Sequence, residues 1–215
     1  MCRNVGDKSS RCNRGNAIDN LHMNLPNILT LLRLGLTVLL VASLSIEYPW
    51  RFAVALILFL VASLTDYLDG VLARKWNLIT DFGKLMDPLA DKILTASAFI
   101  CLIPFGALPA WAVIIIISRE FLITGLRLLA SSKGVILPAE KLGKHKTAWQ
   151  MITIVFFLAL LAADDFAPEG SEVVDLLWGY GGAALVTVTV VLTVFSGLAY
   201  FWKNRVLLAP DHVVR

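Results

Sequence analysis

Asp66–Asp91 reads DYLDGVLARKWNLITDFGKLMDPLAD. The segments on either side, FAVALILFLVASL (Phe52–Leu64) and ILTASAFICLIPF (Ile93–Phe105), are almost wholly apolar. A carboxylate at the centre of a membrane helix costs about 2.5–3.5 kcal/mol even on lenient scales, so acids in such company need a reason. Asp66 and Asp69 are spaced i, i+3, and Asp87 and Asp91 are spaced i, i+4. On a helix each pair shares a face. Gly70 and Ala73 continue the first stripe, and Gly83 precedes Asp87 by one turn. Small residues at those places let helices and phosphates come close. The pattern predicts two helices meeting at a polar seam, each supplying two carboxylates. Oxygen-only ligands suit Mg²⁺ or Mn²⁺, and two ions would relieve the repulsion among the carboxylates. Arg74 is placed to meet a phosphate in bidentate fashion. The alternative is solvated loop charges beside Arg74, Lys75, Lys84 and Lys92, which does not require two face-matched pairs.

Working outward, the chain is one domain by length, and its composition is that of an integral membrane protein. It has 215 residues, 58% of them hydrophobic, and a mean hydropathy of +0.75, too apolar for a soluble globule of this size. A net charge of +3 speaks against a nucleic-acid partner. Cys2, Cys12 and Cys101 lack metal-ligand spacing and imply no disulfide framework. A spanning helix needs about 20 mainly apolar residues. That rule predicts an all-α, polytopic protein with six transmembrane helices: roughly Pro26–Ser45, Arg51–Arg74, Gly83–Ile103, Pro109–Ser131, Lys146–Ala163 and Leu177–Trp202. The first is preceded by an interfacial helical segment, in which Pro26 suits a first turn and Arg33 snorkels. Residues 1–22 form a flexible basic tail without the apolar core of a signal peptide, residues 23–205 the membrane domain, and residues 206–215 a second tail. Lys and Arg gather in the N-terminal tail, at Arg74 and Lys75, at Lys133 to Lys146, and at Lys203 and Arg205. The opposite loops carry Glu47, Asp164, Asp165, Glu169, Glu172 and Asp175 with Arg51 alone. By the positive-inside rule, both termini and the aspartate cluster face the cytoplasm, placing a multi-pass protein in the cell's inner membrane.

The string Asp66-x2-Asp69-Gly70-x2-Ala73-Arg74-x8-Gly83-x3-Asp87-x3-Asp91 matches all eight fixed positions of a known signature. On these residues the chain resembles the CDP-alcohol phosphotransferase family, over about residues 24–205. Softer strings, NLPNILTLLRL, REFLITGLR and KLGKHKTAWQ, resemble its phosphatidylglycerophosphate synthase branch. The resemblance implies transfer of a phosphatidyl group from CDP-diacylglycerol to sn-glycerol 3-phosphate, with CMP released, by a homodimer among membrane lipids. It implies Asp66, Asp69, Asp87 and Asp91 as metal ligands, with Asp91 also as general base. Asn27, Thr30, Gly70, Ala73, Arg74 and Gly83 would bind the CDP donor, and Arg119, Arg127, Lys144 and Lys146 the phosphate of the acceptor.

On bare sequence other readings stay open. Asn27, Thr30 and Arg33 serve equally as helix cap and interface anchor. Arg119 lies too deep for a loop charge, yet pairing with Glu120 would account for it. The lysines near residue 144 double as a topology signal. The last span, GGAALVTVTVVLTVFSGLAYFW, reads as packing only. Another acceptor, such as inositol phosphate, serine or phosphatidylglycerol, would leave the aspartates unchanged. A cation transporter is the rival outside enzymes, but its site would lie near the midplane between matching halves, whereas these acids cluster at one end.

Overall fold

The computed structural model describes residues 31–76, 81–132, 141–165 and 172–203, and the side chains among them at 31–65, 92–131, 146–165 and 174–203. Those residues form helices joined by short turns, with no strand among them. The elements are α1 (Leu31–Ser45), α2 (Arg51–Trp76), α3 (Asp81–Leu102), α4 (Ala110–Ser132), α5 (Lys141–Asp164), the short α6 (Glu172–Leu176), a π-helical turn at Leu177–Gly182, and α7 (Ala183–Lys203).

Apolar side chains pack at helical spacing. On α2, Phe52, Ala55, Phe59 and Ala62 are buried, three or four residues apart. Ala55 and Ala62 leave room for α5, which packs against α2 and inserts Ile154, Phe157, Leu158 and Leu161 into the same core. Leu94, Ala98, Phe99 and Leu102 of α3 and Ala112, Val113 and Ile116 of α4 join it, with Leu40 and Leu44 of α1 and Val186 and Val190 of α7. The opposite faces are apolar too: Ile57 and Leu64 on α2, Ile114 on α4, and Val191, Phe195 and Leu198 on α7 all stand at the surface. An apolar exterior around a polar seam is what a bilayer selects and water does not.

Two corners are locked at one end of the bundle. The Ser43 hydroxyl donates to the Arg51 carbonyl at 3.1 Å, so the Tyr48 hydroxyl, 2.6 Å away, donates to Ser43. The Arg51 guanidinium lies 4.6 Å from the centroid of Phe52 and 5.1 Å from that of Phe105, and those two rings meet edge to face at 5.0 Å. The α1–α2 and α3–α4 corners therefore share an end. Gly106, at φ 72°, makes the turn between α3 and α4 in the left-handed region that favours glycine.

Among the described residues, two helical segments, Lys146–Asp164 and Val174–Lys203, are long and apolar enough to cross a membrane. Shorter apolar helical runs among the described residues are Leu31–Ser45, Arg51–Thr65 and Lys92–Leu102. The aspartate motif lies on the parts of α2 and α3 nearest their connection, and α4 carries Arg119 and Glu120 within its apolar sequence. Helix α5 begins at Lys141, earlier than the expected span at Lys146, so Lys144 belongs to the helix and not to the loop before it.

Candidate functional site

The motif residues lie on two consecutive helices joined by the four residues 77–80. Asp66, Asp69, Gly70, Ala73 and Arg74 are on α2, and Gly83, Asp87 and Asp91 are on α3. Asp66 stands ten residues before the end of α2 at Trp76, and Asp91 ten residues after the start of α3 at Asp81. Both are thus about 15 Å along their helices from the connection. Asp69 and Asp87, at seven and six residues, are about 10 Å along. Counted along the helices from the connection, each α2 aspartate has a counterpart on α3 at a similar distance, and the two helices are in contact. A donor set of four carboxylates in matched pairs fits divalent cations with oxygen ligands. The side chains of these residues, and that of Lys144, lie outside the described ones. So do Asn27 and Thr30.

A second cluster begins one residue beyond Asp91. Glu120 of α4 is buried, with 8% of its surface exposed. Its carboxylate receives Lys92 Nζ of α3 at 2.8 Å, its neighbour Arg119 Nη1 at 3.1 Å, and Lys146 Nζ of α5. Gln150, one turn beyond Lys146, points its amide Nε2 at the same oxygen from 3.5 Å. Lys146 is almost wholly enclosed, at 2% exposure. Three cations from three helices therefore converge on one carboxylate. A crevice lined by Lys92, Thr95, Phe99, Ile116, Glu120 and Gln150 opens beside them.

Buried cations demand partners, and their convergence from separate helices suits a polyanionic ligand such as a phosphate. Lysine supplies compact point charge, and arginine a planar fork. The Arg119–Glu120 pairing that the sequence allows is present, as one spoke of this larger hub.

Of the four residues expected at the acceptor phosphate, Arg119 and Lys146 come together at Glu120. Arg127 does not join them there. It sits two turns further along α4, where its Nε donates to the Tyr200 hydroxyl at 3.3 Å and its guanidinium carbon lies 5.5 Å from the centroid of that ring. Arg119 also reaches α7, with Nη2 donating to Ser196 Oγ at 3.2 Å.

Sequence reasoning passes over Lys92, Gln150, Ser196 and Tyr200. A signal exists for the last two. Thr189, Thr193, Ser196 and Tyr200 recur at spacings of four, three and four, which is one face of a helix, and all are buried. The last helix is therefore more than packing.

The profile of the CDP-alcohol phosphatidyltransferase family matches residues 23–195. Among curated proteins, the chain is 43% identical to a CDP-diacylglycerol–glycerol-3-phosphate 3-phosphatidyltransferase of Bacillus subtilis, an alignment covering 84% of this chain and 95% of that one. It is 35% identical to the protein of the same name from Rickettsia bellii, over 83% of this chain and 93% of the relative, and 34% identical to that of Rickettsia felis, with the same two shares. The signature on α2 and α3, the profile match and these alignments agree: the chain belongs to the CDP-alcohol phosphatidyltransferase family.

Proposed function

We propose that this protein transfers the phosphatidyl group of CDP-diacylglycerol to sn-glycerol 3-phosphate, giving phosphatidylglycerophosphate and CMP in phospholipid synthesis. The observation that carries the reading is adjacency: the cation hub on Glu120 starts at Lys92, the residue after the last aspartate of the motif. A diphosphate donor and a phosphate-bearing acceptor need two such sites side by side. The names of the relatives supply the two substrates.

In this reading Asp66, Asp69, Asp87 and Asp91 hold two divalent ions, Mg²⁺ or Mn²⁺, which neutralise the diphosphate of the donor when bound. Gly70, Ala73 and Gly83 admit the cytidine diphosphate between the helices, Arg74 meets its phosphates, and Asn27 and Thr30 line its nucleotide end. Arg119, Arg127, Lys144 and Lys146 receive the phosphate of the acceptor, with Lys92 beside them. A hydroxyl of the acceptor forms the new bond to the phosphorus that carries diacylglycerol. The bond from that phosphorus to CMP breaks, CMP leaves with the electron pair, and the hydroxyl proton passes to Asp91. Most of the rate comes from fixing two charged substrates in line rather than from covalent chemistry.

The whole molecule is read as a homodimer in the cell's inner membrane. Six helices span the bilayer in each subunit, and both termini and the aspartates face the cytoplasm, where a soluble acceptor arrives. The test is an acceptor panel. Purified protein is given CDP-diacylglycerol, Mg²⁺ and one labelled alcohol at a time. Glycerol 3-phosphate should enter lipid far faster than inositol phosphate, serine or phosphatidylglycerol. Turnover with one of the others in its place would keep the family and refute the acceptor.

A further inference from the structure

Helix α7 packs against both α4 and α5, and its buried polar face is used by nothing in the reaction as written. The Ser196 hydroxyl donates to the Thr193 carbonyl at 3.1 Å, so toward Arg119 it can only accept, and it takes Nη2 at 3.2 Å. The other end of the same fork, Nη1, is held by Glu120. Between them the arginine stem crosses bare backbone. A Cβ at Gly197 would stand 3.0 Å from Arg119 Cγ, 3.5 Å from Nε and 3.8 Å from Cδ. Cγ lies near the root of the side chain, where it cannot swing clear as a terminal atom can. One turn on, Tyr200 presents its hydroxyl and its ring to Arg127. The match to the family profile stops at Phe195, one residue short of this group.

We propose that Ser196, Gly197 and Tyr200 form a ledge on the last helix that positions Arg119 and Arg127, and so sets the affinity for the phosphorylated acceptor. The inference rests on the reading of those arginines as acceptor-phosphate residues. Arginine is a long side chain whose rotamer freedom must be surrendered when it grips a phosphate. A fork already held at both tips, over a notch that only glycine leaves open, surrenders less on binding. Ser196, Gly197 and Tyr200 touch no reacting atom in this account. They are positioning residues.

The test is steady-state kinetics of the purified full-length protein, with each substrate varied in turn. The variants are Gly197→Val, Ser196→Ala and Tyr200→Phe, with Arg119→Gln as reference. Gly197→Val should raise the acceptor KM about tenfold and Tyr200→Phe a few-fold, while the KM for CDP-diacylglycerol stays within about twofold. In the Gly197→Val, Arg119→Gln double variant, the glycine change should add nothing, because its effect runs through the arginine. If Gly197→Val does not fold, Ser196→Ala and Tyr200→Phe carry the test, since each removes only a hydroxyl. An acceptor KM unmoved in the folded variants, or a glycine effect that persists in full without Arg119, overturns the ledge while the acceptor site stands. An acceptor KM unmoved by Arg119→Gln refutes the acceptor site itself, and the ledge with it.

Discussion

Glu120 is the residue on which the described charges turn. Its carboxylate is shared by Lys92, Arg119 and Lys146, and in a buried setting the loss of one partner costs more than the pair contributes. Glu120→Gln keeps the shape and removes the charge, leaving three cations around a neutral amide. We expect it to destabilise the protein by about 3 kcal/mol, read as a lower unfolding midpoint in detergent micelles. An unchanged midpoint would mean the cations find equal compensation elsewhere. At this scale the sequence is an uneven guide. The aspartate pairs are legible because their spacing is local and their neighbours apolar. Lys92 and Gln150 are not, because their partner lies on a different helix, and no periodicity within α3 or α5 reveals where α4 will present a carboxylate.

The final helical stretch shows how an element is tuned by small residues. Its π-helical turn, Leu177–Gly182, places Gly182 directly on Phe157. A Cβ there would meet ring atoms at 3.1 and 3.2 Å. Phe157 cannot retreat, because it is 1% exposed, with Phe156 edge-on to it at 5.4 Å and the tilted ring of Trp178 at 5.8 Å. Gly179 has nothing within 4 Å of its would-be Cβ. Overpacking costs about 1–3 kcal/mol, against a gain of just under 1 from replacing a helical glycine. Gly182→Ala should therefore lose about 1 kcal/mol net, and Gly179→Ala should be neutral or slightly stabilising. Thermal unfolding of the two variants side by side checks this, and equal midpoints would contradict the packing. Further along, Thr153 donates to the Trp149 carbonyl at 2.8 Å, so Thr189 of α7 donates to Thr153 across 2.8 Å. Composition lets α7 pass for a featureless apolar span. Its polar face emerges only when Thr189, Thr193, Ser196 and Tyr200 are placed on one helix with known neighbours.

Among the described residues, apolar side chains stand at the surface while Glu120 and Lys146 are buried inside. The all-helical fold follows from the apolar runs, and the described helix ends agree with sequence expectation within a few residues except where a charged stretch extends a helix, as at Lys141–Lys144 before α5's expected start and at Glu172–Leu176 before the last. Apolar length alone is satisfied at Lys146–Asp164 and Val174–Lys203. The six-span reading makes a topological prediction. In a background without Cys2, Cys12 and Cys101, a cysteine at Asp165 should react with an impermeant thiol reagent applied outside intact cells. One at Lys133 should react only after the membrane is opened. Labelling of both from outside would refute the orientation.

The central claim is phosphatidyl transfer from a CDP-linked lipid at the aspartate pairs of α2 and α3. The most direct measurement follows CMP release and the entry of labelled glycerol 3-phosphate into lipid together, on purified protein with CDP-diacylglycerol and Mg²⁺. The two should appear in equal amounts, vanish with EDTA and return with added metal. They should also be absent from a folded Asp91→Asn variant. CMP release that persists in EDTA, or Asp91→Asn activity within about tenfold of the parent, would contradict the account, because a true general base contributes at least about a hundredfold.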